Sequence, residues 1–409
     1  MRRFVFLGFL FLVVWPAFSQ EPISVSDTVV LDEIVSYGNL RKYQVGSKIE
    51  SIGDGAFSLA KGDDLEQLLS RSLPVAFKAD AGGLSTIRIR GTGSSHTSVN
   101  FGGIDLNSLT LGQSNFSNVP VYLFDRVGVQ FGSASSVNGS GSIGGAVHLG
   151  LNHNWTNGFR AEVRLSHGSF GEQLYGTKLF AGNGKFESVT RAYYYYKTND
   201  FPFLNNMYRD FENQVFEIDD VQQNASLEHY GLLQELNYRL EPGEYFFANV
   251  WLERDWRQNQ QNMQTNLNNP DYSEEYLDEH IRIWTGYKNH KHKLKYEVNG
   301  GHVYDNAVTN EVATDTIATR RWIAEIIVEH DLSSNTSYKA GAKAIRINPM
   351  VYAYKSSLDH EDRMDIYASF YQRIFRQLSA TVNLRQGFVS NYKVPFTPSL
   401  GLSWQALSG

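Results

Sequence analysis

The sequence predicts a mainly β protein, in which a small mixed α/β domain precedes an antiparallel transmembrane β-barrel of about twelve strands, apparently truncated. Three observations predict it. From residue 159 onward, apolar and polar residues alternate in segment after segment, the period of a strand with one buried face. Aromatic residues make up 13% of the chain, with 23 Tyr and 25 Phe, while mean hydropathy is mildly negative; girdled strands fit that combination better than long apolar helices do. A Gly/Ser-rich stretch within residues 124–149 divides this region from a preceding part of different texture, with the seam just past Gly150.

Residues 1–19 have the form of a secretory leader. Arg2 and Arg3 precede an apolar run ending at Trp15, too short to span a bilayer, and Ala17 and Ser19 are small residues spaced for cleavage after Ser19. Residues 20–43 carry no periodic pattern. Within them, Val29, Val30, Leu31, Asp32, Glu33, Ile34 and Val35 form a β-prone piece that reads equally as an edge strand or a disordered tail.

Residues 44–153 read as the compact α/β domain. A short helix is expected after Asp63 as N-cap, with Leu65, Leu68 and Leu69 on one face. Strands are expected over residues 86–90, 97–101 and 127–131. Arg88 and Arg90 would then share a strand face, and two guanidiniums facing inward would require carboxylates on a surrounding wall. Gly139, Gly141 and Gly144 fit a GxGxxG pattern, but Ala146, Val147 and Leu149 continue as extended chain rather than a helix. A nucleotide site needs that helix N-terminus, so the glycines are read as tight backbone packing.

Residues 154–409 supply the strands. Phe159, Ala161, Val163 and Leu165 alternate with Arg160, Glu162 and Arg164; Leu378, Ala380, Val382 and Leu384 alternate with Ser379, Thr381, Asn383 and Arg385. Turn signals alternate between short ones, such as Gly182, Asn183 and Gly184, and long polar stretches at 200–229 and 258–279, as in outer-membrane barrels. Residues 399–404 read as a strand in mid-sheet. An unpaired edge is not viable in lipid, so the sequence is expected to be the N-terminal part of a longer barrel.

Residues 124–149 resemble the end of the plug domain of TonB-dependent outer-membrane receptors: Asp125, Arg126, Val127, Gly132, Ser136, Gly141, Ile143, Gly144, Gly145 and Val147 match the family's pattern, while Gly128 replaces its usual Glu. A second match is Thr86, Ile87, Arg88, Ile89, Arg90 and Gly91; a weaker one is Val99 to Ile104, with Gly102 in an acidic position. The resemblance implies a plug at 44–153, structured by Arg88, Arg90, Gly91, Asp125, Arg126, Gly144 and Gly145, and a barrel that closes with about 22 strands. It makes Val29–Val35 the segment that pairs with the periplasm-spanning TonB energy-coupling protein by β-augmentation. It also implies an outer-membrane location in a Gram-negative cell, lipid contact, a surface lipoprotein as further partner, and import of a scarce nutrient.

Two loops are the best ligand-contacting candidates, being Gly/Ser/Asn-rich tips on a rigid scaffold: Asp80, Gly83, Leu84 and Ser85 in one, Leu106, Asn107, Ser108 and Leu109 in the other. The resemblance is strongest to cobalamin receptors, whose ligand rests on the matching loops, so cobalamin or a related corrinoid is the expected ligand. The alternatives are a ferric siderophore, or a surface adhesin or porin that imports nothing. No catalytic constellation is present and no enzyme activity or cofactor is expected. The chain lacks cysteine, which removes disulfides and thiolate sites, and its net charge of −6 with mixed signs argues against nucleic acid as partner. His290 and His292 read as a solvated basic turn, and Asp210, Glu212, Glu217, Asp219 and Asp220 as a solvated acidic loop, so no metal site is expected.

Overall fold

A computed structural model describes residues 41–405 except 63, 81–83, 140, 210–213, 261–272, 311–315, 352–358 and 391. The leader and the β-prone segment Val29–Val35 lie outside the described residues.

The N-terminal part holds strands β1 (Lys48–Ser51), β2 (Ala76–Asp80), β3 (Leu84–Arg88), β4 (Thr97–Phe101), β5 (Ile104–Asp105), β6 (Arg126–Phe131) and β7 (Gly145–Gly150), with helices α1 (Asp54–Leu59), α2 (Leu65–Ser72) and α3 (Ser135–Asn138). Its main sheet has the order β1-β6-β7-β4-β5, and β2 and β3 form a separate hairpin. β4 and β7 run parallel; the other pairs are antiparallel. Helix α2 shows why such a segment folds locally. The Asp64 carboxylate accepts from the Gln67 N–H at 2.8 Å, capping the first turn one residue later than the sequence suggests. Leu65, Leu68 and Leu69 are fully buried on one face, a burial that stabilises by about 1.5–3 kcal/mol per side chain. The helix stops at Leu73, held extended at φ −136° because Pro74 follows it.

The second part is one antiparallel sheet. Its strands are β8 (Asn157–His167), β9 (Gln173–Asn183) and β10 (Phe186–Lys197), then, beyond the hairpin β11 (Pro202–Arg209) and β12 (Val215–Val221), β13 (Leu227–Glu241), β14 (Glu244–Asn259), β15 (Glu274–Asn289), β16 (Leu294–Thr309), β17 (Thr316–Asp331), β18 (Thr336–Val351), β19 (Glu361–Phe375), β20 (Leu378–Val389) and β21 (Thr397–Trp404). Twelve of these form the sheet in chain order, with β8 and β21 at its edges. Alternation sorts their faces. On β13, Leu236, Tyr238 and Leu240 are exposed, while Leu233, Glu235 and Asn237 are buried toward the first part. The hairpin β11–β12 is a departure from the sequence reading, which took 200–229 as a polar loop. Its strands alternate too weakly to announce themselves.

The sheet wraps the N-terminal part. A Cβ at Gly62 would lie 3.7 Å from Arg164 on β8, and one at Gly46 would lie 3.0 Å from Gly401 on β21, so both sheet edges touch the domain they enclose. Between the edges, Trp251 of β14 is fully buried against Phe101 and Phe124, with ring centroids 5.5 and 5.4 Å away. Gly102 and Gly103 lie under the Trp284 ring, where an added Cβ would come within 2.6 and 2.2 Å. Gly102, in the family's acidic position, is thus fixed by close approach and by a φ of 58°.

Candidate functional site

Asp125 follows directly from the buried turn at Leu123 and Phe124, which aims its carboxylate at the wall. Its Oδ2 accepts from Arg191 Nη2 at 2.6 Å and from the Asn152 N–H at 3.0 Å; its Oδ1 accepts from Lys178 Nζ at 2.8 Å. Arg191 is completely buried and also pairs with Glu235. Burial alone would raise the Asp125 pKa, but Arg191 and Lys178 hold the carboxyl well below the usual carboxylate range. Further ties are hydrogen-bonded. Arg321 donates to the Asp105 carbonyl at 2.7 Å and Lys343 to the Gly103 carbonyl at 2.5 Å. Lys42 reaches Glu329 at 3.1 Å and also pairs with Asp331, and Asn383 donates to the Tyr43 carbonyl at 3.1 Å.

The first candidate loop is tied at Ser85, whose N–H donates at 2.9 Å to Asn115 Oδ1, at the cap of the helical turn that follows the second loop. Within the two loops the predicted residues fall into different environments. Ser85 is buried and Leu84 half-buried, while Asp80 ends β2 and Gly83 lies outside the described residues. Asn107 is buried and fully engaged: it donates to the carbonyls of Thr97 (3.0 Å) and Gly112 (3.2 Å) and accepts from the Val99 N–H (3.3 Å) and Ser114 hydroxyl (2.7 Å). It organises the loop. Leu106 packs on the core, Ser108 and Leu109 are half-buried, and the exposed tip is Thr110 and Leu111, just beyond the residues singled out from the sequence.

Asn107, Ser108 and Leu109 line a cavity of about 570 Å³ between the domain and the wall, which extends to His153 and to His290 in the β15–β16 turn. Its lining is biased toward cations, with Arg126, Lys288, Arg321, Lys339, Lys343, Arg363 and Arg385 set against Asp105, Glu297, Glu325 and Asp365. Burial pushes the Asp105 carboxyl up, against the lowering effect of the Asn107 N–H and Arg321; burial lowers His148 to about 4, so His148 is neutral at physiological pH.

The arginine expectation is corrected. β3 ends at Arg88, and Arg90 adopts a left-handed φ of 51° followed by Gly91 at 78°, so the two side chains do not share a strand face. Both are exposed, Arg90 lies 5.9 Å from the Phe131 ring centroid, and among the described residues neither meets a wall carboxylate. The glycine reading fares differently. A Cβ at Gly144 would lie 2.2 Å from Thr92 Oγ1, and one at Gly145 would lie 2.4 Å from the Gln130 carbonyl oxygen. The chain leaves these glycines as strand β7, not as a helix. His290 pairs with Glu297 at 2.9 Å and Lys291 with Glu241 and Glu244. Glu217, Asp219 and Asp220 sit on β12, with Asp210 and Glu212 outside the described residues.

Residues 41–146 match the family model described as TonB-dependent Receptor Plug Domain. The chain is 30% identical over 112 residues to the vitamin B12 transporter BtuB of Vibrio vulnificus, an alignment covering 25% of this chain and 18% of that protein. Two solved structures share the fold at low identity. The FrpB iron transporter of Neisseria meningitidis superposes with a TM-score of 0.72 at 14% identity, covering 89% of this chain and 64% of that one. The siderophore receptor PirA of Acinetobacter baumannii gives 0.64 at 12%, covering 90% and 60%. The chain thus matches less than two thirds of the length of each of these relatives. The matched N-terminal part is thus a plug domain of the TonB-dependent receptor type, enclosed by a sheet whose fold is that of these solved structures.

Proposed function

We propose that the chain acts in an energy-coupled outer-membrane receptor that imports a scarce nutrient, with cobalamin or a related corrinoid as cargo. One observation supports it above the others: a polar cavity runs along the seam between plug and wall, from the loop residues Ser108 and Leu109 to His290 in a hairpin turn. Such a seam becomes a passage when the plug shifts. In this reading, cargo seats on the loops around Leu84 and residues 106–111, and the TonB protein adds a strand along Val29–Val35. Tension on that segment then breaks the polar ties of the plug, beginning with Lys42 near the start of the described chain. Ligand-linked release of the segment is an order–disorder switch.

The corrinoid assignment draws on the similarity to the vitamin B12 transporter. The cationic bias of the cavity favours a second reading, an anionic ferric chelate of the siderophore type. Uptake of labelled cobalamin and of ferric siderophores into cells, with the intact protein and with residues 28–35 deleted, separates the two. Deletion-sensitive uptake of cobalamin is the expected result. Uptake indifferent to the deletion removes the coupling, and uptake of neither compound removes both cargo assignments.

A further inference from the structure

On the inner face of β14 and β15, Glu253, Asp255 and His280 present ligand atoms that all lie within 4.8 Å of one another. The register explains the grouping: Glu253 pairs directly with His280, and Asp255 is two residues along β14 on the same face. The surroundings prepare these atoms for a cation. Asp305 Oδ1 lies 2.7 Å from His280 Nδ1, an arrangement that keeps the proton on Nδ1 and leaves the Nε2 lone pair to bind. Arg282 donates to Glu253 Oε2 at 2.7 Å and the Tyr193 hydroxyl to Oε1 at 3.3 Å. Asp255 is 2% exposed; its Oδ1 lies 2.7 Å from His229 Nδ1, while its buried Oδ2 has no hydrogen-bond partner among the described residues. A buried carboxylate oxygen without a partner is costly, and a second carboxylate beside it adds repulsion.

We propose that Glu253, Asp255 and His280 form a divalent transition-metal site on the receptor wall. One imidazole nitrogen with two carboxylate oxygens is a borderline donor set of the kind that takes Zn²⁺ at about 2.0–2.2 Å, whereas Ca²⁺ and Mg²⁺ call for oxygen donors throughout. Three protein ligands leave a coordination position for water or a donor atom of a passing molecule. The site is also wired to the plug. Asp305, which orients His280, accepts from Arg321 Nη2 at 2.7 Å, and Arg321 Nη1 donates to the Asp105 carbonyl at the root of the 106–112 loop. The sequence reading, which weighed His290, His292 and the acids at 210–220 and expected no metal site, sees only neighbours in the chain; His280 is 25 residues beyond Asp255 and meets Glu253 and Asp255 across a strand pair.

The test is a Zn²⁺ titration of the full chain, purified in detergent and stripped with chelator, by competition with a chromophoric chelator. One Zn²⁺ per chain is expected, with affinity falling at least tenfold in His280→Ala and in Asp255→Asn, about tenfold in the orienting variant Asp305→Asn, and unchanged in His292→Ala. X-ray absorption at the zinc edge of the unmodified protein should show one imidazole in a shell of nitrogen and oxygen, a readout that stands even where a variant fails to fold. No bound Zn²⁺, affinity in His280→Ala and Asp255→Asn equal to that of the unmodified protein, or a shell with two imidazoles would each overturn the site. None of these readouts depends on cargo uptake.

Discussion

Replacing Asp125 with Asn tests what holds the plug in the wall. The side chain is 10% exposed and its partner Arg191 1%, so water screens neither charge effectively. Two charges at this separation interact by about 4 kcal/mol or more at an effective dielectric near 20, and breaking a buried pair by removing one partner costs about 3–5 kcal/mol. Asn keeps an acceptor for the Asn152 N–H, and Arg191 keeps Glu235, which places the expected cost near the lower limit, about 3 kcal/mol. That is about two decades in the opening equilibrium of the plug. Amide hydrogen exchange reads it directly: protection at Val127, Val129 and Val147 should fall by that factor, while strands such as β16 and β17 keep theirs. The sign with pH follows from the depressed carboxyl. The stabilisation is complete above the unfolded value of about 3.9 and is lost as pH falls through the lower folded value, so variant and parent should converge in strong acid. Unchanged exchange at neutral pH, or equal loss in plug and wall, refutes the reasoning.

Four further substitutions have expected outcomes. Asn107→Ala strands the Val99 N–H and two carbonyls and should cost the plug about 2–3 kcal/mol, read from denaturant midpoints. Gly145→Ala forces a methyl group to within 2.4 Å of the Gln130 carbonyl and 2.9 Å of Ile89, an overpacking cost of about 1–3 kcal/mol; Gly55→Ala in α1, with nothing within 4 Å, should be neutral or stabilising by up to about 1 kcal/mol. His148, pushed down to about 4 by burial, contributes stability that is complete above the unfolded value of about 6.5 and lost as pH falls from there through 4. His148→Gln should flatten that acid limb of the melting profile; an unchanged limb assigns it to other groups.

What was legible in the sequence was whatever has a short period. Phe159, Ala161, Val163 and Leu165 alternate with Arg160, Glu162 and Arg164 along β8, and segments with that period-two signal lie in the twelve-stranded sheet. Leu65, Leu68 and Leu69 announced helix α2 in the same way. The end of β3 was not legible: Thr86 to Arg90 reads as continuous strand, whereas the chain turns at Arg90 in a left-handed conformation, with the Thr92 N–H donating to the Ile89 carbonyl at 3.1 Å. Nor could the sequence show that Asn107 spends its amide on its own loop, since the same residue on a Gly/Ser/Asn-rich tip serves equally for binding. The pairing of Asp125 with Arg191, or of Asp105 with Arg321, joins residues far apart in the chain, and no local pattern reports it.

In the proposed import cycle the plug leaves and returns, and the chemistry of the plug–wall contact would suit that. An apolar interface would expose its whole area to water on separation, at about 25 cal/mol per Å². Here the apolar contact centres on Trp251 with Phe101 and Phe124, and on Trp284 over Gly102 and Gly103. Around those two tryptophans the seam is made of charged and hydrogen-bonded ties, from Lys42 with Glu329 to Arg385 with the Ser135 carbonyl. Water can replace such ties with small net loss where it reaches them, because partly exposed ion pairs contribute about 0–1 kcal/mol. Asp125 with Arg191 is dry, and so is the bond from Asn383 to the Tyr43 carbonyl. Resistance to withdrawal would therefore concentrate at the two tryptophans and at these buried ties, while the partly exposed ion pairs set register without adding much to the force needed.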